Sequence, residues 1–285
     1  MNHREMWKRV FGDTDKYIDF YFKEKANKSI AYSKYDKDEL ASMAFFTPYK
    51  MIYKGVECTC PYIVGVATQP EFRHRGYMKT LLEQGLMDAE FSGAPLAFLS
   101  PADERIYEPL GFQGVYYRNQ IEVTGDKNKW YTVSSFSRLE AEVKKKIAEF
   151  ANAQLYMANL DLYVQRSVEY YELLYKEAKA LGGKVIVLRE GAFTRGVACY
   201  VHEEDFYEIT ELICDPEDGQ KVMESICAYV RGPEREKVIF SDGYFLTGVT
   251  GDGVTIRRSE KPYIMVKALT EENIDGLKVY INDIT

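Results

Sequence analysis

Arg73, His74, Arg75 and Gly76 stand where the apolar pattern of the chain changes period. Before them, residues 63–67 form a run of β-branched and small apolar side chains that ends at Pro70, as a buried strand does. After them, Met78, Leu81, Leu82, Gly85, Leu86 and Ala89 recur at helical spacing. The helix therefore begins just past Gly76, and its first turn offers unpaired backbone N–H groups and the positive end of its dipole. Gly76 lets the backbone come close to a ligand. Cations crowded at a helix start oppose the dipole, so three basic or potentially basic side chains there point to a bound anion, most simply a phosphate. A P-loop would need Gly-Lys-Ser/Thr and a dinucleotide fold three spaced glycines; this turn has one glycine and two arginines.

Strand, proline, turn and helix together resemble the acetyl-CoA site of the GNAT acetyltransferases, where Arg/Gln-x-x-Gly-x-Gly/Ala opens a helix. Here the string is Thr68-Gln69-Pro70, then Arg73-His74-Arg75-Gly76-Tyr77-Met78. Met78 replaces the usual small residue and would hold a pyrophosphate slightly further out. RHRGYM followed by Leu81-Leu82 looks most like the Eis-like branch, in which Arg-Arg-Arg-Gly-Leu-Leu is common. A second point of resemblance is IYEPLGF: GNAT proteins carry a tyrosine followed by x-x-x-Gly-Phe/Tyr, its phenol near the coenzyme A sulfur, and that residue here is Tyr107.

The resemblance implies acetyl-CoA as co-substrate, no metal, and direct attack of a primary amine on the thioester. The amine would belong to a small cationic acceptor or a lysine side chain. Arg73, His74, Arg75, Gly76, Tyr77 and Met78 would hold the pyrophosphate. Backbone N–H groups around Val66, Ala67 and Thr68 would face the thioester and pantetheine. Tyr107 would share its proton with the departing thiolate, since a phenol titrates near ~10 and a thiol near ~8.5. In the Eis-like proteins the terminal carboxylate enters the active site as proton acceptor, a role implied here for Thr285; a water relayed through an acidic side chain is the other candidate base. A non-catalytic acyl-CoA-binding or scaffold protein is the alternative, and Tyr107 separates the two.

Length allows two domains of roughly 130–150 residues, each with its own core. The 285 residues hold 37 Lys plus Arg against 44 Asp plus Glu, a net charge of −7, which argues against nonspecific nucleic-acid binding and leans toward cationic acceptors. Five cysteines, Cys58, Cys60, Cys199, Cys214 and Cys227, show no C-x-x-C spacing and fit reduced thiols in a cytosol. His3, His74 and His202 are scattered, which argues against catalytic zinc. The charged N-terminus has no apolar leader, and no apolar run nears the ~20 residues that span a bilayer. A cytoplasmic protein without membrane partners is expected.

Short helices are expected over residues 4–10 and after Asp13 or Thr14, the second carrying Tyr17, Ile18, Phe20, Tyr21 and Phe22, as core or as wall of an acceptor pocket. Extended segments at 29–34, 39–49 and 51–53 and a turn at Lys54-Gly55 feed the strand that ends at Pro70. A polar stretch at 124–128 marks the boundary. Beyond it Ser134, Ser135 and Ser137 are candidate caps for a helix to about Met157, and a second helix runs over 164–181. Strands follow at 184–189, 196–202 and 206–214, then Asp215-Pro216-Glu217 and a helix over 220–230. That outline repeats the first strand, x-Pro-Glu, turn and helix, with Asp218, Gly219, Gln220 and Lys221 where the first copy has its basic turn. Strands at 237–241 and 263–268 would complete a second unit, leaving a tail of a helical turn and a last strand.

The expected architecture is α/β (α+β): two tandem GNAT-like domains, each a mixed, mostly antiparallel sheet flanked by helices. The catalytic domain would span 1–125, a degenerate second domain without its phosphate site 130–270, and a tail 271–285, a vestige of the sterol-carrier-like domain that follows in the Eis-like proteins. Tyrosine-rich helices such as YVQRSVEYYELLYKEA suit a subunit interface as well as a core, which leaves a homo-oligomer open.

Overall fold

The computed structural model describes residues 1–231 and 237–282. By its contacts the chain divides into two units. The first comprises Met1–Tyr116, Asp161–Val164 and Lys261–Val279, and the second Tyr117–Leu160, Gln165–Glu260 and Tyr280–Thr285. In chain order the elements up to the first crossover are α1 (His3–Phe11), α2 (Asp15–Glu24), β1 (Ile30–Asp36), β2 (Glu39–Tyr53), β3 (Val56–Thr68), α3 (Tyr77–Phe91), β4 (Leu96–Leu99), β5 (Gln113–Tyr116), β6 (Asn119–Val123) and β7 (Thr132–Ser135). They continue as α4 (Ala141–Met157), β8 (Leu162–Val164), α5 (Val168–Ala180), β9 (Lys184–Glu190), β10 (Phe193–His202), β11 (Phe206–Cys214), α6 (Gly219–Val230), β12 (Lys237–Phe240), β13 (Val254–Arg258), β14 (Ile264–Ala268) and β15 (Val279–Tyr280).

The first sheet runs β15-β8-β2-β3-β4-β14-β5, with β1 also on β2. Its spine is the β2–β3 hairpin, closed by Lys54 and Gly55 at φ 49° and 80°, the left-handed pair that a two-residue hairpin turn requires. The helix starts are set by short polar side chains. Asn2 and Glu5 form a reciprocal capping box on α1, and the Thr14 hydroxyl accepts the Tyr17 N–H at the start of α2. The aromatic stripe of α2 is core: Tyr17, Ile18, Phe20 and Tyr21 are buried, with Tyr21 4.2 Å from the ring of Trp7.

The second sheet runs β13-β6-β12-β11-β10-β9-β7, and β11 is parallel to β12. Its core contains a buried ion pair. Arg166 Nε donates to Glu211 Oε1 at 3.1 Å with both side chains essentially inaccessible, and the Tyr170 hydroxyl donates to Glu211 Oε2 at 2.6 Å. The repeated outline holds: β11, a 3-10 turn at Pro216–Asp218 and α6 follow the same course as β3, a 3-10 turn at Pro70–Phe72 and α3.

Four expectations are corrected. Ser134 and Ser135 pair with β9 as part of β7, Ser137 lies in a 3-10 turn, and α4 starts only at Ala141 behind Glu140; none of the serines caps it. A cap must directly precede its helix, and here strand pairing claims those residues. Residue 164 does not open a helix but ends β8, where Met51 of β2 pairs with Val164; α5 begins at Val168 with Ser167 accepting from the Tyr170 N–H. The strand expected to complete the second sheet, β14, lies in the first, between β4 and β5 (Met265 opposite Leu99 and Gly114), because those two strands offer it open edges. The stretch expected as a helical turn, 270–277, holds no helix, and the last described strand is β15.

Candidate active site

β3 is where the two sides of the first sheet part. It pairs with β2 along its whole length but is in parallel register with β4 only at Tyr62 opposite Phe98. Residues 63–68 therefore keep β2 on one side and have no strand partner on the other among the described residues. Ser42 of β2 ties the strand's end down: its hydroxyl donates to the Ala67 carbonyl at 3.0 Å and lies 2.9 Å from Thr68 Oγ1.

The pairing slips within this stretch, from Met43 opposite Ala67 to Phe45 opposite Val64, so that β3 carries one extra residue. Gly65, at φ 61°, makes the bulge, which re-aims the backbone of Val66 to Thr68. A Cβ there would lie 2.4 Å from Trp7 Cζ3 and 3.0 Å from Phe45. Gly65→Ala is accordingly expected to lower stability by about 1–3 kcal/mol, read as a shift in urea midpoint at constant slope.

The chain then turns through Gln69, which is fully buried. Its side chain donates to the Leu40 carbonyl and accepts from Arg9 Nη1, while its N–H bonds the Ala41 carbonyl at 3.0 Å. Arg9 also pairs with Glu71. Past that anchor α3 begins at Tyr77 with Gly76 at φ 77° in the N-cap position, no capping side chain and no acidic residue in the first turn. α1, α2 and α5 each have a capping side chain, whereas α4 and α6, like α3, have none. The free N–H groups of α3 face outward from an exposed turn, the arrangement that receives an anion.

The basic residues are less free than their spacing suggests. Arg75 Nη1 is 2.9 Å from Asp36 Oδ2 at the end of β1, Nη2 donates to the Glu71 carbonyl, and the guanidinium covers the Phe72 ring. The Tyr77 hydroxyl donates to the same Asp36 oxygen at 2.8 Å. Arg73 folds back on the Thr68 carbonyl at 3.3 Å, and His74 is exposed with φ 62°. Asp36, Gln69 and Arg9 shape this turn, and none stands out in the sequence. Asp36 sits beside a Lys37-Asp38 turn that reads as solvent-facing, and only the pairing of β1 with β2 carries it to residue 75.

Tyr107 lies between two 3-10 turns, Glu104–Ile106 and Glu108–Leu110, the second ended by Gly111 at φ 86°. It is 7% exposed, edge-on to Phe112 at 6.1 Å, and belongs to one apolar cluster with Ile63, Leu82 and Leu99, against which Val66 and Met78 pack. The fold thus brings Tyr107 to the layer shared by the end of β3 and the start of α3. Burial pushes its pKa above the ordinary value. Thr285 lies outside the described residues.

At the start of α6, Asp218 accepts from the Tyr131 hydroxyl at 2.8 Å and from Arg195 at 3.2 Å. Burial and that carboxylate push the Tyr131 phenol up to about 12. The second copy of the turn carries a carboxylate where the first has its basic residues, and α6, like α3, has no capping side chain.

Residues 2–115 match the family model described as Acetyltransferase (GNAT) domain, so the chain carries a GNAT-type domain over those residues. Among solved structures it is similar to a GCN5-related N-acetyltransferase from Anabaena variabilis (TM-score 0.73, 15% identity, 94% of this chain and 69% of that one). It is equally similar to a conserved protein of unknown function from Enterococcus faecalis, a probable N-acyltransferase (TM-score 0.72, 14% identity, 94% and 69%). It is also similar to Eis1 from Mycobacterium abscessus (TM-score 0.63, 11% identity, 94% and 70%). These likenesses span both units and make the fold Eis-like, with two sheets flanked by helices. No curated protein matches the chain. Among the described residues no helix is long and apolar enough to cross a membrane.

Proposed function

We propose that the chain is an acetyl-CoA-dependent N-acetyltransferase that acetylates a primary amine of a small cationic acceptor or a lysine side chain by direct transfer. The observation that carries this is the place of Tyr107, which packs in the same apolar cluster as Val66 at the end of β3 and Met78 at the start of α3. In this reading the first-turn N–H groups of α3, with Arg73, His74, Arg75, Gly76, Tyr77 and Met78, hold the pyrophosphate. Val66, Ala67 and Thr68 present backbone N–H groups to the thioester oxygen, whose charge grows as the amine attacks. Tyr107 gives its proton to the sulfur as the C–S bond breaks, and the Thr285 carboxylate or a relayed water takes the proton from the amine. The catalytic domain is then the first unit, with the second as a GNAT-like unit whose phosphate site is lost.

The test is release of free CoA from acetyl-CoA with a panel of polyamines, aminoglycosides and lysine peptides. Release with at least one class is expected; tight CoA binding without release from any of them turns the reading to a non-catalytic acyl-CoA-binding protein. Arg73→Gln combined with Arg75→Gln removes two charge-assisted contacts worth about 1.5–3 kcal/mol each and is expected to raise the CoA Kd by at least ~10-fold by calorimetry. Glutamine is chosen over glutamate because Asp36 already lies against residue 75.

A further inference from the structure

Cys58 and Cys60 are two apart on β3, so their side chains share a face, and their sulfurs lie 3.5 Å apart. Directly across the hairpin, Met51 of β2 is the register partner of Cys58. Opposed residues hold their Cβ atoms about 4.5–5.5 Å apart, and methionine's three rotatable bonds bring its thioether within reach of the thiol pair. Met51 is 1% exposed and Cys60 fully buried, while Cys58 is half-buried and opens the cluster to solvent.

This donor set is all sulfur. Among the described residues no group of three or more His, Cys, Asp and Glu could hold a metal, so neither imidazole nor carboxylate completes it. Two thiolates and a thioether are soft ligands, the combination that selects Cu(I) over zinc. Residues two apart on an extended strand are separated by about 6.4–6.8 Å between Cα atoms, the upper edge of the disulfide range. An ion with metal–sulfur bonds of about 2.3 Å bridges sulfurs 3.5 Å apart without moving the strand. The two sulfurs already hydrogen-bond, with either thiol able to donate, and Cys58 is the one open to solvent.

We infer that Cys58, Cys60 and Met51 form a binding site for one Cu(I) ion. Binding forms two Cu–thiolate bonds and one Cu–thioether bond and releases the two thiol protons, with no change of oxidation state. Ten residues of extended strand, about 30 Å, separate Cys58 from Thr68, so the site is independent of the acyl-transfer reading. The experiment is anaerobic titration of the reduced protein with Cu(I) against the chromogenic chelator bicinchoninate. One ion per chain is expected. Cys58→Ser, and separately the volume-conserving Met51→Leu, should each weaken binding by more than ~10-fold, beyond the low end of what loss of a supporting partner alone costs. Cys227→Ala, which alters a fully buried thiol of the second unit, should leave binding unchanged. Thermal melts of the metal-free variants establish that they are folded. Failure of the wild type to compete with the chelator, or an affinity unaltered by Cys58→Ser, overturns the site. An affinity unaltered by Met51→Leu overturns the three-sulfur assignment.

Discussion

Tyr107→Phe is expected to lower kcat by about 10²–10⁴-fold while the Kd for acetyl-CoA stays within about twofold of wild type. The substitution removes one oxygen from a ring packed edge-on to Phe112 and leaves the apolar cluster with Ile63, Leu82 and Leu99 intact, so binding should persist while proton donation is lost. The sign of the pH dependence follows from burial, which raises the phenol pKa and keeps its proton on through neutral and mildly alkaline pH. Wild-type kcat should therefore not lose its acid until the pH passes the ordinary tyrosine value near ~10. Stopped acetyl-transfer assays of both proteins across pH check this, and equal kcat in the two would sink the assignment of Tyr107 as the acid.

Glu211→Leu is expected to cost the second unit about 3–5 kcal/mol, because it removes a carboxylate paired with the inaccessible Arg166 guanidinium. Tyr170 loses its acceptor in the same step and remains stacked under the arginine at 4.4 Å. Adding Arg166→Met removes the charge as well and should recover most of the loss, since a buried pair replaced by apolar side chains is often neutral or better. Urea unfolding of the two single variants and the double variant gives the coupling. If Glu211→Leu alone shifts stability by less than ~1 kcal/mol, the pair is not the buried, dependent unit that its inaccessibility indicates.

The frame of the proposed acyl-transfer site was legible because it is written in local signals. The run at 63–67, the proline at 70 and the change to helical spacing at 78 define β3 and α3, and the glycine at 76 marks the uncapped start between them. The same signals revealed the second copy at β11 and α6. Tyr107 was reachable from its spacing to Gly111 and Phe112. What surrounds these residues was not reachable. Asp36, which takes up Arg75 and Tyr77, is 39 residues from one and 41 from the other. Gln69 reads as a polar turn residue, yet it is buried and pins the turn to β2.

Periodicity, caps and turn residues act over a few neighbours, so the chain's order of residues set the helices, the hairpin and the strand-turn-helix units without reference to the rest. Sheet membership is another matter. β8 and β14 have ordinary strand patterns, and nothing local tells them that their partners are β2, β4 and β5 rather than the nearer strands of the second sheet. Pairing goes to whichever edge is left open once the hairpin has formed. The ion pair of Arg75 with Asp36, the buried pair of Arg166 with Glu211 and the meeting of Met51 with Cys58 belong to folding for the same reason: each joins residues whose proximity exists only after the strands have chosen their neighbours.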